Sequence, residues 1–165
     1  MHWCMGETVL TPNIHATQPT WPSFMLDEFT FSQSYERIFG REVKIGPLGD
    51  QFFDYFYSLF LASSPDVRAA FKNTDMEKQK KMLKRSLLYS INFIENKNNF
   101  HSMERIAISH SRKHHNIKPH LYDLWMDCMV ASVECFDPKF DCDVELAWRL
   151  AFSPGITYMK YQYDK

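Results

Sequence analysis

Residues 56 to 71 read Phe56-Tyr57-Ser58-Leu59-Phe60-Leu61-Ala62-Ser63-Ser64-Pro65-Asp66-Val67-Arg68-Ala69-Ala70-Phe71. Two helices meet in this stretch. Its first half completes a run whose apolar face carries Phe52, Phe53, Phe56, Leu59 and Phe60, a helical spacing that predicts a helix from about Asp50 to Ala62. Ser64-Pro65-Asp66 then writes a new N-terminus. A serine caps, proline occupies a first-turn position where no N–H is needed, and an early acid meets the positive end of the helix dipole. Only a turn or two fit before Phe71. A long aromatic helix that stops and restarts at once predicts a chain of helices turning sharply around a common core.

The same punctuation extends in both directions. Upstream, Thr30-Phe31-Ser32-Gln33 has capping-box spacing, and Phe31, Tyr35, Ile38 and Phe39 form an apolar face before Gly40 stops the run. Pro47 and Gly49 precede the helix already described. Downstream, Thr74-Asp75-Met76-Glu77 is a second capping box, opening a long helix to about Glu95. Ser102 is the expected cap of a helix from Met103 to about His114, and Pro119 opens one that reaches about Phe136. Asp137-Pro138 breaks it, and a last helix runs from about Asp141 towards Tyr161, with a bend expected at Pro154. Six or seven helices and no convincing strand give an all-α class.

Residues 1–28 have no sustained period and are punctuated by Pro12, Pro19 and Pro22, so they read as an extended N-terminal segment before a domain over 29–165. Trp3 and Trp21 are expected to pack back on that domain or on another subunit. With 45% hydrophobic residues in 165, the chain can build one core and has little left for a second. Five glycines are too few for a turn-rich barrel or sandwich. Nineteen basic against twenty acidic residues leave no field to hold a phosphate backbone, which argues against nucleic acid. No apolar run reaches the roughly 18 residues of a membrane helix. Neither a secretory signal nor a C-x-x-C pair among Cys4, Cys128, Cys135 and Cys142 is written, so a cytoplasmic chain with reduced thiols is expected.

Several polar groups sit on apolar stripes. Gln79 lies three residues from Met76 on the face that continues through Leu83 and Leu87, with Ser86 and Ser90 close by. It either reaches water at the stripe's edge or has a partner inside, because an unsatisfied buried amide costs about 1–3 kcal/mol. His110 follows Met103, Ile106 and Ala107 on one helical face, as a hydrogen-bonded core histidine or a ligand. His114 is four residues on, a spacing that can hold zinc only if Cys135 or Cys142 is delivered from elsewhere. Tyr57 belongs to the aromatic helix, where most tyrosines are core residues. Lys78, Lys80, Lys81, Lys84 and Arg85 form either a solvated face or a partner for an anionic group at a pocket mouth.

Taken together these residues resemble the globin family, specifically its bacterial single-domain and flavohaemoglobin-type members. The stretch quoted first resembles the passage from that family's second helix to its haem-packing phenylalanine. The resemblance gives Tyr57 the distal tyrosine's place, with Phe56 beside it, and Phe71 the stacking position. Gln79-Lys80-Lys81-Met82-Leu83 resembles the distal-helix motif, with Gln79 facing the ligand and Met82 and Leu83 in the apolar lining. Glu104-Arg105-Ile106-Ala107-Ile108-Ser109-His110, followed by Ile117-Lys118-Pro119 and Tyr122, resembles the proximal helix and the start of the next. On that match His110 is the iron ligand, and Ile106, Ile117 and Tyr122 flank the haem. Order and spacing carry more than any single motif: Gln79 follows Phe71 by 8 positions, and His110 follows Gln79 by 31. The match covers about residues 30 to 161.

The resemblance implies a globin-like 3-over-3 helical sandwich holding non-covalent haem b, since no C-x-x-C-H attachment motif is present. It implies reversible binding of dioxygen, carbon monoxide or nitric oxide at a His110-ligated iron, with Tyr57 and Gln79 as the ligand-stabilising pair. Nitric oxide dioxygenation is the enzymatic possibility, and it would need an external reductase because no flavin or nicotinamide domain follows. The alternative is a haem-based gas sensor or interaction module acting through a partner protein, with the N-terminal segment as the feature favouring it. A homodimer is compatible with either. A haem-free globin-like structural protein, with His110 an ordinary core histidine, is the reading from a third class.

Overall fold

A computed structural model describes residues 24–40, 47–95 and 100–165, with side chains described for 30–40, 50–87 and 103–165. Its elements are α1 (Phe24–Phe39), α2 (Pro47–Ser63), α3 (Pro65–Ala70), α4 (Met76–Glu95), α5 (Phe100–His110), α6 (Leu121–Phe136) and α7 (Cys142–Gln162). Among the described residues there is no strand, and no helix is long and apolar enough to cross a membrane. Trp3 and Trp21, which carried the expectation about the N-terminal segment, lie outside the described residues.

The helix faces read from the sequence are the faces buried. Phe31, Tyr35, Ile38 and Phe39 of α1 meet Phe52, Phe53, Phe56 and Phe60 of α2 and Trp148 and Phe152 of α7 in one core. Phe31 stands edge-on to Trp148 at 4.8 Å, and Phe39 edge-on to Phe52 at 4.9 Å. Each such ring contributes roughly 1.5–3 kcal/mol through burial, and the edge geometry adds to that. α1 lies on α7, α2 on α6, α3 docks against α2, and α7 also meets α4, α5 and α6.

One polar chain ties the layers. Asp137, which caps the C-terminus of α6, accepts from Arg37 Nε and Nη2 at 2.6 Å each and from Ser34 Oγ at 2.6 Å. The Lys139 amide adds a fourth donor at 2.9 Å. Trp148 Nε1 donates to the same Ser34 Oγ at 2.9 Å, which links α7 to α1. Burial pushes the Asp137 carboxyl up, but these donors and the Arg37 charge outweigh it and hold it below the usual carboxylate range.

Element boundaries depart from expectation in five places, the first at α2, which begins at Pro47 so that Pro47 and Gly49 lie within it and do not precede it. α1 begins at Phe24, so Thr30 lies inside the helix and its capping box is not used. At α4 the cap is Asp75, whose carboxylate accepts from the Lys78 amide at 3.2 Å, one residue beyond the expected Thr74. α5 begins at Phe100, which puts Ser102 within the helix and not at its N-terminus. It also ends at His110 and does not continue to His114. There the Ile117 amide bonds the His110 carbonyl at 3.0 Å and the His115 amide the Ser109 carbonyl at 3.0 Å, closing the helix end as a turn. Asn116 supplies the left-handed residue, at φ 52°, that this reversal needs. His114 consequently stands exposed on the turn, and the His110–His114 pair is not a helical i, i+4 face.

Ser64 is the cap that the sequence announces: its hydroxyl accepts from the Asp66 amide at 3.1 Å, with Pro65 in the first turn. α7 stays helical through Pro154. The glycine that follows permits close packing, since a Cβ on Gly155 would lie 2.9 Å from Met103 Cε of α5. Met103 of α5 thus packs directly on the α7 backbone at this point.

Candidate functional site

An interior cavity of about 360 Å³ lies within the helices, inside the range of roughly 300–1,000 Å³ usual for small-molecule and cofactor sites. Of the residues singled out from sequence, Tyr57, Phe71, Gln79, Met82, Leu83, Ile106, His110, Ile117 and Tyr122 all line it. Phe56 does not. It is fully buried behind the wall, 5.0 Å from the Tyr57 ring and 5.8 Å from Trp125, where it backs the residues that do face the cavity. The resemblance puts Phe56 beside Tyr57 in the lining, but adjacent positions on a helix diverge by about 100°, so the two cannot both face the cavity.

α2 and α3 set one end of the site. Tyr57 is buried, and Phe71 stands edge-on to it at 6.0 Å and to Phe60 at 5.8 Å. The break at Ser64 is what turns the chain so that Phe71 can face back onto its own preceding helix. α4 then brings Gln79 to the same cavity wall as Tyr57, where its amide bears on the Tyr57 hydroxyl. Burial drives the Tyr57 hydroxyl up to about 12, against the smaller opposing effects of Gln79 and the Lys80 charge. It therefore keeps its proton, and remains a donor, throughout the physiological range.

α5 contributes the histidine. His110 Nδ1 lies 2.8 Å from the Ile106 carbonyl oxygen and 3.1 Å from Ser109 Oγ, and the Ser109 hydroxyl donates to that same carbonyl at 2.9 Å. A carbonyl only accepts, so Nδ1 carries the proton and Nε2 carries the lone pair. Burial lowers the His110 pKa, partly offset by the bond to Ile106, and the nearby His115 lowers it further, so the ring is held neutral. The Tyr122 ring sits 6.4 Å away, itself buried and protonated because desolvation raises its pKa.

No lining residue carries a carboxylate, ammonium or guanidinium group. Among the described residues no group of three or more His, Cys, Asp or Glu is placed to hold a metal ion. Cys135 and Cys142 are exposed, and His114 is not in the cavity wall. One neutral imidazole in an apolar pocket is thus a donor suited to a metal that brings its other ligands with it. Lys80, from the basic run, pairs with Asp54 at 2.7 Å and Glu77 at 2.5 Å, and Lys78 with Asp75 at 3.4 Å, so these two belong to a paired surface.

The chain resembles a solved structure along nearly its whole length. A Pseudomonas aeruginosa PAO1 protein, whose crystal structure is described as structurally highly homologous to a human hemoglobin, is 33% identical to it. The match covers 84% of this chain and 99% of that one, with a TM-score of 0.75. The chain belongs to the globin-like family. No protein-family model and no curated protein sequence matches it.

The globin's cavity also has walls that sequence reading passed over: Val67 on α3, Met103 on α5, Trp125 on α6, and Phe152, Ile156 and Met159 on α7. The signal for the α7 residues was present, since Trp148, Phe152, Gly155, Ile156 and Met159 recur at i, i+4, i+7, i+8 and i+11. Only the fold shows that this face turns towards α5.

Proposed function

We propose that this globin binds haem b without covalent attachment in the interior cavity, with His110 Nε2 as the iron's protein ligand, and that the bound group gives it reversible binding of diatomic gas. The observation that carries the reading is the state of His110: neutral, its Nδ1–H committed to the Ile106 carbonyl, in a cavity without charge. A second bond of that kind on a ligating imidazole fixes the ring's tautomer and orientation and raises its basicity. Phe71, Leu83, Ile106, Ile117 and Tyr122 supply walls that exclude water, and the haem, when bound, supplies the iron at which gas binds.

The Tyr57 hydroxyl and the Gln79 amide are two donors in the same cavity. With the Tyr57 hydroxyl kept protonated, they favour a bound gas that carries partial negative charge, dioxygen before carbon monoxide. This supports slow dioxygen release, and through it nitric oxide dioxygenation of the flavohaemoglobin type with an external reductase as partner. Visible absorption of the haem-supplied protein tests the reading. A Soret band that shifts between ferric, reduced and carbon monoxide forms, kept in His114→Ala and lost or displaced in His110→Ala, is the expected result. A folded helical protein with no haem band overturns it.

Gas sensing is favoured by a separate observation. The turn after His110 is tied to the end of α7: the Arg112 amide bonds the Tyr163 carbonyl at 2.9 Å, and Arg112 pairs with Asp164 at 2.7 Å. A displacement of His110 on gas binding would reach the surface by this path.

A further inference from the structure

A second, outer groove of about 310 Å³ runs between α6 and α7, edged by Asp123, Asp127, Arg149, Ser153, Thr157 and Lys160. Ile156 lines both this groove and the interior cavity. Its neighbours divide between the two spaces: Trp125, Phe152 and Met159 face inward, while Met126, Ser153 and Lys160 face the groove. Ile156, a half-buried aliphatic residue, is the one residue common to the walls of both spaces.

The helical hydrogen-bond ladder is interrupted beside that side chain. Pro154 has no N–H, so the Leu150 carbonyl loses its helical donor. Ser153 Oγ donates to the Arg149 carbonyl at 2.6 Å, a local bond that competes with the ladder. Gly155 adds no side chain of its own. On the outside, Lys160 Nζ meets Asp123 at 2.5 Å and Arg149 Nη1 meets Asp127 at 3.2 Å. These pairs join α6 to α7 above and below the Ile156 position.

We propose that small uncharged gases enter and leave the interior cavity between α6 and α7, past the Ile156 side chain. The proposal rests on the haem-globin reading, because a large group filling the cavity takes up the opening on the side where Met82 is more than half exposed. The passage suits a molecule of two or three atoms: rotation of one isoleucine side chain frees little room, and its apolar inner face rejects ions and favours no hydrogen-bonded water.

Carbon monoxide rebinding after laser flash photolysis, with carbon monoxide dissociation measured beside it, tests this in the haem-supplied protein. A residue that only bars the way changes the barrier from both sides, so association and dissociation move by the same factor and the affinity stays put. Ile156→Trp is expected to slow both rates several-fold and Ile156→Ala to speed both. If Ile156→Trp does not fold, Ile156→Ala and Lys160→Met, which opens the outer edge, carry the test, each with both rates faster. Rates equal to the parent's in every folded variant, or an affinity change in place of a matched rate change, overturn the passage while leaving haem binding intact. A parent protein whose Soret band does not respond to carbon monoxide overturns the haem-globin reading itself, and the passage with it.

Discussion

The Tyr163 hydroxyl donates to the Asn116 amide oxygen at 2.6 Å, joining the end of α7 to the turn that follows His110. Asn116 is the left-handed residue of that turn, and the Arg112 guanidinium lies 5.0 Å from the Tyr163 ring centre. With the Arg112 amide on the Tyr163 carbonyl, three separate contacts hold one aromatic residue against the turn that follows the histidine.

Tyr163→Phe removes the Asn116 bond and keeps the ring under Arg112. Because the bond is exposed, global stability is expected to fall by no more than about 1 kcal/mol. The local effect is expected to be larger. Backbone amides of Ser111 to Ile117 should exchange faster by hydrogen–deuterium exchange, with those of α6 unchanged. Equal protection of the turn in parent and variant would show that the backbone bonds alone hold it.

Asp137 predicts an acid limit to stability. Its folded-state pKa is depressed, so between that value and the ordinary aspartate value near 3.9 the unfolded chain binds the proton and the folded one does not. Its stabilisation is thus complete above about pH 5 and is lost as pH falls through the folded-state value. Asp137→Asn leaves Arg37 without its counter-charge and weakens two charge-assisted bonds, a loss of about 2–4 kcal/mol at neutral pH. Urea midpoints across pH 3 to 7 should converge for parent and variant at the acid end; parallel curves would mean the carboxylate is not the titrating group.

His110 gives a second pH dependence, in a different window. Burial depresses its pKa, so an unfolded histidine, titrating near 6.5, takes up protons that the folded one refuses. The haem-free protein is therefore expected to lose stability as pH falls below about 6.5, and His110→Gln should flatten that slope. In the haem-supplied protein the same proton competes for Nε2, so acid titration should release the group, followed as loss of the Soret band. Acid-resistant retention in His110→Gln would place the ligand elsewhere.

The order of helices was legible because their start signals are local. Ser64-Pro65-Asp66 fixes α3 without help from tertiary contacts, and Gln79 and His110 stand out because each breaks an apolar period. What was not legible depends on partners distant in sequence. The end of α5 is set by amides of residues 115 and 117 folding back, which a stripe running on from His110 to His114 does not announce. The capping box at Thr30 is cancelled because α1 extends six residues further back. Nothing in the sequence sets Gly155 apart until Met103 is seen 2.9 Å from where its Cβ would be. Nothing in the sequence singles out Ile156 until it is found in the walls of both the cavity and the groove.

The Tyr57–Gln79 pair makes the sharpest claim about gas selectivity. A hydrogen bond to a partly charged acceptor contributes about 1.5–3 kcal/mol, which corresponds to roughly a ten- to hundred-fold change in dissociation rate. Tyr57→Phe is expected to raise the dioxygen dissociation rate of the haem-supplied protein by about that factor while moving carbon monoxide dissociation much less, since carbon monoxide carries less charge at its outer atom. Gln79→Leu should remove the second donor and keep the Tyr57 hydroxyl in place. Both donors act on one bound gas, so the double variant is expected to be less than additive. Stopped-flow displacement of dioxygen by carbon monoxide measures all four proteins. Equal acceleration for both gases would mean that the two side chains act by filling space and not as donors.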